Sequence, residues 1–221
     1  MTTFVKGMVP GLYAITDSEL LPGNTVLDAV ADAIRGGATL IQYRDKAHSE
    51  ADKQRLAIAL QKLCQASNVP LIINDSTELA LRSHAAGVHL GLTDGDLKDA
   101  RTLLGPNALI GATCHGNLEL ARTAVATGAD YVAFGRFFDS ATKPDAPTAA
   151  TSVLTDVKPL GVPVVAIGGV TLENGAQLIE AGADFLAVVG GLFGADDIER
   201  RARSFTELFL RHHPYFRAPA C

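Results

Sequence analysis

Nowhere in the sequence do about 18 apolar residues run without interruption, so no segment reads as a membrane-spanning helix. The opening residues, 1–10, hold Lys6 but no apolar run ending in a small-residue cleavage site, so no export signal is expected. Cysteine is scarce. Cys64, Cys114 and Cys221 are far apart and form no C-x-x-C pair, which argues against a zinc knuckle or a redox dithiol and fits a reducing cytoplasm. Positive charge is in deficit, with 19 Lys plus Arg against 24 Asp plus Glu and a net charge of −5. Nothing in that balance favours a nucleic acid as partner, and any phosphate binding has to be local. No low-complexity linker divides the chain, and its composition leaves the oligomeric state open, a homodimer included.

What is present is a rhythm. Of the 221 residues 48% are apolar, enough for one substantial core, and a single domain over 1–221 is expected. Eight short β-rich runs, 11–16, 39–45, 70–75, 87–91, 108–115, 131–137, 163–170 and 185–193, alternate with longer amphipathic ones. The segments 25–35, 49–67 and 172–181 space apolar residues by three and four, as helices covering a sheet do. Repeated β then α implies a parallel sheet, and eight units close into a (β/α)8 barrel. Three helices are expected to stop alike, at Gly36-Gly37-Ala38, Gly128-Ala129-Asp130 and Gly182-Ala183-Asp184, with glycine as left-handed cap. The stretch 138–149 reads as an extended loop after strand six, and the tail from His212 as a fraying end.

In such a barrel the loops at the carboxyl ends of the strands form the active face. Strand two ends in Gln42, Arg44 and Lys46, whose spacing of two turns the side chains to one side. Strand three ends in Asn74-Asp75, and strand four runs into Gly91-Leu92-Thr93-Asp94. Two cations, an amide and two carboxylates on one rim suit a diphosphate with a hard cation such as Mg2+, with Asp75 and Asp94 as its ligands. The plainer alternative is that Arg44 pairs with an Asp and that Asp75 and Asp94 cap the next helices.

A second gathering lies late in the chain. Gly168-Gly169 after strand seven and Gly190-Gly191 after Val189 of strand eight let backbone N–H groups approach an anion, which predicts a monophosphate site. Glycine also serves ordinary turn geometry there. The glycines do not follow G-x-G-x-x-G, so a nicotinamide cofactor is not expected. Ser140, Thr142 and Lys143 offer hydroxyls and an ammonium on the loop after strand six, which can bind phosphate or simply be solvated. Thr113 is placed to face a substrate, and His115 is an acid, a base or a structural hydrogen bonder. Cys114 has no assignable base and reads as a small semi-buried residue.

The ordered set Gln42-Tyr43-Arg44-Asp45-Lys46, Ile73-Asn74-Asp75, Gly87-Val88-His89-Leu90-Gly91 with Asp94, Gly135 to Lys143, and Ile167-Gly168-Gly169 resembles the thiamine phosphate synthase family. Thiazole tautomerases belong to the same group. The resemblance implies a transferase that joins hydroxymethylpyrimidine diphosphate to a thiazole phosphate. By it, the pyrimidine diphosphate lies near Gln42, Arg44, Lys46, Asn74 and Lys143, with Mg2+ on Asp75 and Asp94. The thiazole phosphate is held by Ser140, Thr142 and the backbone of Gly169, Val189 and Gly190, with Tyr13 and Thr113 near the reacting groups. Arg44, Lys46 and Lys143 then stabilise the departing diphosphate. The chain departs from the family at Leu92, where Gln is frequent, and at Thr113 and Gly190, where Ser is usual. Rival readings are a tautomerase using His115, a Schiff-base aldolase using Lys46, and a silent phosphate sensor.

Overall fold

The computed structural model of the protein describes residue 4, residues 7–139 and residues 148–217. Eight parallel strands pair in chain order and close into a barrel: β1 (Gly11–Ile15), β2 (Leu40–Tyr43), β3 (Leu71–Asn74), β4 (Gly87–Leu90), β5 (Leu109–His115), β6 (Tyr131–Phe134), β7 (Val164–Ile167) and β8 (Phe185–Val188). The seam is β1 on β8, in the register Gly11↔Phe185 to Ala14↔Val188.

Strand periodicity of two divides the interior into two apolar bodies. Leu12, Ala14, Ile41, Ile73 and Val132 face outward and pack with buried helix residues such as Val30, Leu60, Leu178 and Phe205. Their neighbours in sequence, among them Tyr13, Leu40, Ile72, Leu109, Tyr131, Val165 and Phe185, fill the barrel itself.

Helices α1 (Thr25–Arg35), α2 (Glu50–Ala66), α3 (Thr77–Ser83), α4 (Leu97–Leu104), α5 (Leu118–Ala126), α6 (Val153–Asp156), α7 (Leu172–Ala181), α8 (Gly190–Phe193) and α9 (Ile198–His212) cover the outside. Gly37, Gly128 and Gly182 adopt φ of 100°, 106° and 118°, the left-handed turn expected where a helix hands over to a strand. The aspartates of the two Gly-Ala-Asp stops have a shared use. Asp130 accepts from Ile110 N (2.9 Å) and Arg101 Nη2 (2.6 Å), and Asp184 accepts from Val164 N (2.8 Å) and Lys158 Nζ (3.0 Å). Each ties the amino end of one strand to that of the strand before it.

The structure corrects three expectations. The ladders end earlier than the apolar runs, and 190–193 is the short helix α8, because Val189 at φ −110°, ψ −94° leaves the extended region. The carboxyl-terminal segment does not fray at once: Pro214–Phe216 forms a 3-10 turn, and buried His213 reaches Asp184 at 3.3 Å. Asp75 and Asp94 do not cap helices; Ser76 caps α3 and Asp96 caps α4.

Candidate active site

At the carboxyl end of the barrel lies a cavity of about 400 Å³, within the usual range for small-molecule sites. Tyr13, Gln42, Arg44, Asn74, Thr113, Gly169, Val189 and Gly190 line it, as do His89, His115 and Arg136. Next to Arg44 and Asn74, outside the residues that line the cavity, the segments after β2, β3 and β4 meet. Lys46 Nζ lies 2.6 Å from Asp75 Oδ2, the carboxyls of Asp75 and Asp94 are close enough to perturb each other's ionisation, and Asp94 Oδ2 accepts from Gly91 N at 2.9 Å. Asp75 holds a left-handed conformation (φ 63°), unusual for a residue other than glycine, as its N–H bonds the His89 carbonyl at 2.9 Å.

The two carboxyls answer differently to that contact. Burial pushes Asp75 up, but the contacts with Lys46 and Asp94 outweigh it and hold the group below the usual carboxylate range. Burial and then the neighbouring Asp75 push Asp94 above it. Like charges this close require a shared proton or a cation between them. Among the described residues no group of three or more His, Cys, Asp or Glu is placed to hold a metal ion. Two carboxyls with room for further oxygen ligands are a donor set that fits a hard cation such as Mg2+.

Arg44 and Lys46 flank a residue for which the sequence suggested no role. The buried Asp45 side chain accepts from Tyr43 Oη (2.8 Å), pairs with His48 Nδ1 (2.8 Å) and accepts from the amides of Ala47 (3.0 Å) and His48 (3.1 Å). Burial alone would raise its pKa, but these donors bring it down to about 2. Thr16 and the Arg44 backbone exchange two hydrogen bonds, 2.9 and 3.0 Å, and Arg44 Nη1 pairs with Asp17 at 3.0 Å. The loop that presents both cations is thus fixed on each side. Lys46 itself is 57% exposed and ion-paired, unlike the dry pocket that a Schiff-base lysine needs.

The β7–β8 side of the cavity is built on glycine. Gly168 (φ 97°) and Gly169 (φ 64°) make a turn in which the Gly168 carbonyl accepts from Phe138 N (3.1 Å) and the Gly169 carbonyl from Asn174 Nδ2 (2.9 Å). Both peptide planes are fixed. A Cβ on Gly169 would lie 2.4 Å from the Asp139 carbonyl oxygen, whereas one on Gly190 would meet nothing within 4 Å. Glycine is therefore obligatory at 169 and sterically free at 190. Leu92 is 61% exposed and is not among the residues lining the cavity. Ser140, Thr142 and Lys143 lie outside the described residues.

Along the floor of the cavity a polar chain crosses the barrel, and two of its members, His89 and Tyr131, have no role assigned from the sequence. Gln42 Nε2 donates to Tyr13 Oη (2.7 Å), Tyr13 Oη meets Tyr131 Oη (2.9 Å), Tyr131 Oη meets His89 Nδ1 (3.1 Å), and His89 Nε2 meets Thr113 Oγ1 (2.9 Å). Burial raises the pKa of both tyrosines, so both are neutral phenols. The signal for them was a histidine and a tyrosine at strand positions that share the inward parity of Thr113.

The sequence matches the thiamine monophosphate synthase family over residues 12–192. A thiamine-phosphate synthase of Marinobacter nauticus is 58% identical over 218 residues, which make up 98% of each chain. Among solved structures, a thiamine phosphate pyrophosphorylase from Pyrococcus furiosus superposes with a TM-score of 0.84 at 30% identity, covering 94% of this chain and 98% of its own. A namesake from Bacteroides thetaiotaomicron has a TM-score of 0.67 at 15% identity, covering 92% and 100%, and shares the fold. The chain belongs to the thiamine monophosphate synthase family.

Proposed function

We propose that this chain joins hydroxymethylpyrimidine diphosphate to hydroxyethylthiazole phosphate, giving thiamine phosphate and pyrophosphate, as a Mg2+-dependent enzyme of the cytoplasm. The observation that carries the reading is the meeting of Lys46, Asp75 and Asp94, each of the first two close in sequence to the cavity-lining Arg44 and Asn74, with the fixed glycine turn lining the cavity on its β7–β8 side. The first cluster suits a diphosphate and the glycine turn a monophosphate.

The bond from the pyrimidine methylene carbon to the diphosphate oxygen breaks, its electron pair leaving with the diphosphate. The thiazole nitrogen lone pair then closes the new C–N bond. No enzyme nucleophile is needed, and catalysis rests on positioning and on charge. Arg44 and Lys46 face the negative charge that grows on the leaving group, with Lys143 assigned to the same task. Gln42, Asn74 and Thr113 hold the pyrimidine, and Tyr13 packs beneath it. Backbone donors of Gly169, Val189 and Gly190, with Ser140 and Thr142, bind the thiazole phosphate. Asp75 and Asp94 would hold Mg2+, which when bound neutralises diphosphate charge. The functional unit is taken as a monomer or a homodimer.

Asp75→Ala tests the assignment. One well-placed electrostatic contact is worth about 3 kcal/mol, so turnover should fall about a hundredfold while KM for the thiazole phosphate stays near wild type. Normal turnover with a raised thiazole KM would show that the two sites have been assigned the wrong way round.

A further inference from the structure

The polar chain on the cavity floor has a direction. Tyr13 and Tyr131 are fully buried, and each phenol carries one proton that has to meet an acceptor. Tyr13 Oη already receives the Gln42 amide, so its own proton goes to Tyr131 Oη. The Tyr131 proton then goes to His89 Nδ1, and the imidazole proton sits on Nε2, facing Thr113 Oγ1. With its oxygen accepting from His89, Thr113 turns its own proton away from the imidazole. Room for the two rings comes from Gly111, where a Cβ would stand 2.1 Å from Tyr131 Cζ and 2.5 Å from His89 Nδ1.

We infer that Gln42, Tyr13, Tyr131 and His89 form a directional hydrogen-bond relay that holds His89 as its Nε2–H tautomer and makes Thr113 an obligate donor to the pyrimidine ring. In this role Tyr13, Tyr131 and His89 are positioning residues for the condensation and do not touch the reacting atoms. The relay leaves Gln42 Oε1 as an acceptor at one end and Thr113 as a donor at the other. That polarity selects a ring that offers a hydrogen-bond donor to Gln42 and an acceptor to Thr113, and it opposes a ring with the two exchanged. The inference rests on the reaction proposed above for its substrate and on the relay geometry for its direction.

Nitrogen-15 NMR of the substrate-free protein reads the tautomer directly. The expected result is a single Nε2–H form of His89 that collapses toward a mixture in Tyr131→Phe. Kinetics supply the second arm. Tyr131→Phe should lower kcat/KM for the pyrimidine diphosphate about tenfold, the order expected for one buried neutral hydrogen bond, with KM for the thiazole phosphate unchanged. Thr113→Val should lower it by a similar factor, and Thr113→Ser, which restores the hydroxyl, should recover most of that loss. An Nδ1–H tautomer in the wild type, the state a reversed Gln42 amide would impose, overturns the inference. So does a Tyr131→Phe enzyme with wild-type kinetics for the pyrimidine substrate. A wild type that releases no pyrophosphate overturns the reaction and the role of Thr113, while the tautomer spectrum still decides the direction of the relay.

Discussion

Replacing Lys46 by methionine removes a charge 2.6 Å from Asp75 and keeps the length of the side chain, and two effects of opposite sign should follow. The departing diphosphate loses a stabilising ammonium, which at about 3 kcal/mol lowers kcat about a hundredfold. The Asp75–Asp94 pair meanwhile loses the cation that partly neutralises it. Lys46 is 57% exposed, so the relevant dielectric is close to that of water and a unit charge at about 4 Å is worth about 1 kcal/mol. The concentration of Mg2+ that half-saturates activity should therefore fall about fivefold even as turnover collapses. Pyrophosphate release at saturating substrates across a Mg2+ titration measures both quantities. General damage to the site would move them in the same harmful direction. A half-saturation point that rises with the loss of turnover, or a kcat within about threefold of wild type, refutes the reasoning.

The Asp94 carboxyl is raised, so it keeps its proton to higher pH than an ordinary carboxylate, and Mg2+ has to compete with that proton. Mg2+ half-saturation should fall as pH rises through the Asp94 titration and then level off, and a flat profile in an Asp94→Asn enzyme checks the source. Gly169→Ala should abolish activity or folding, because the left-handed backbone and the Asp139 carbonyl leave no place for Cβ, whereas Gly190→Ser should keep activity within a few-fold. Steady-state rates and circular dichroism separate the two cases. Asp184→Ala leaves the buried His213 and the Val164 amide without this acceptor and removes the Lys158 ion pair, and should cost about 2–3 kcal/mol in urea unfolding while leaving KM values unchanged at low temperature.

The sequence carried the barrel well because its signals are local. The helical spacing over 25–35 and 172–181 coincides with α1 and α7, and the glycine stops mark real handovers to strands. Strand ends were less legible, since Gly168-Gly169 and Gly190-Gly191 continue an apolar run after the ladder has finished. On the site, Lys46, Asp75 and Asp94 do meet, and the cap alternative for the two aspartates fails by one and two residues. Arg44 is paired to Asp17, as the plainer reading has it, and also lines the cavity. Asp45, His89 and Tyr131 drew no role because their significance depends on partners. Asp45 works through the return of its own loop, and the pair Tyr13–Tyr131 spans 118 positions that only the closing of the barrel brings to 2.9 Å. Arg136 lines the cavity from a motif whose glycine and loop hydroxyls are its more legible features.

The most direct test of the whole account is the stoichiometry of the wild-type reaction with both substrates, in the presence and absence of Mg2+. The account predicts one pyrophosphate for each thiamine phosphate formed, with both products vanishing when the metal is chelated and returning when it is restored. Isomerised thiazole phosphate in the absence of the pyrimidine substrate, or full turnover with the metal chelated, would contradict it.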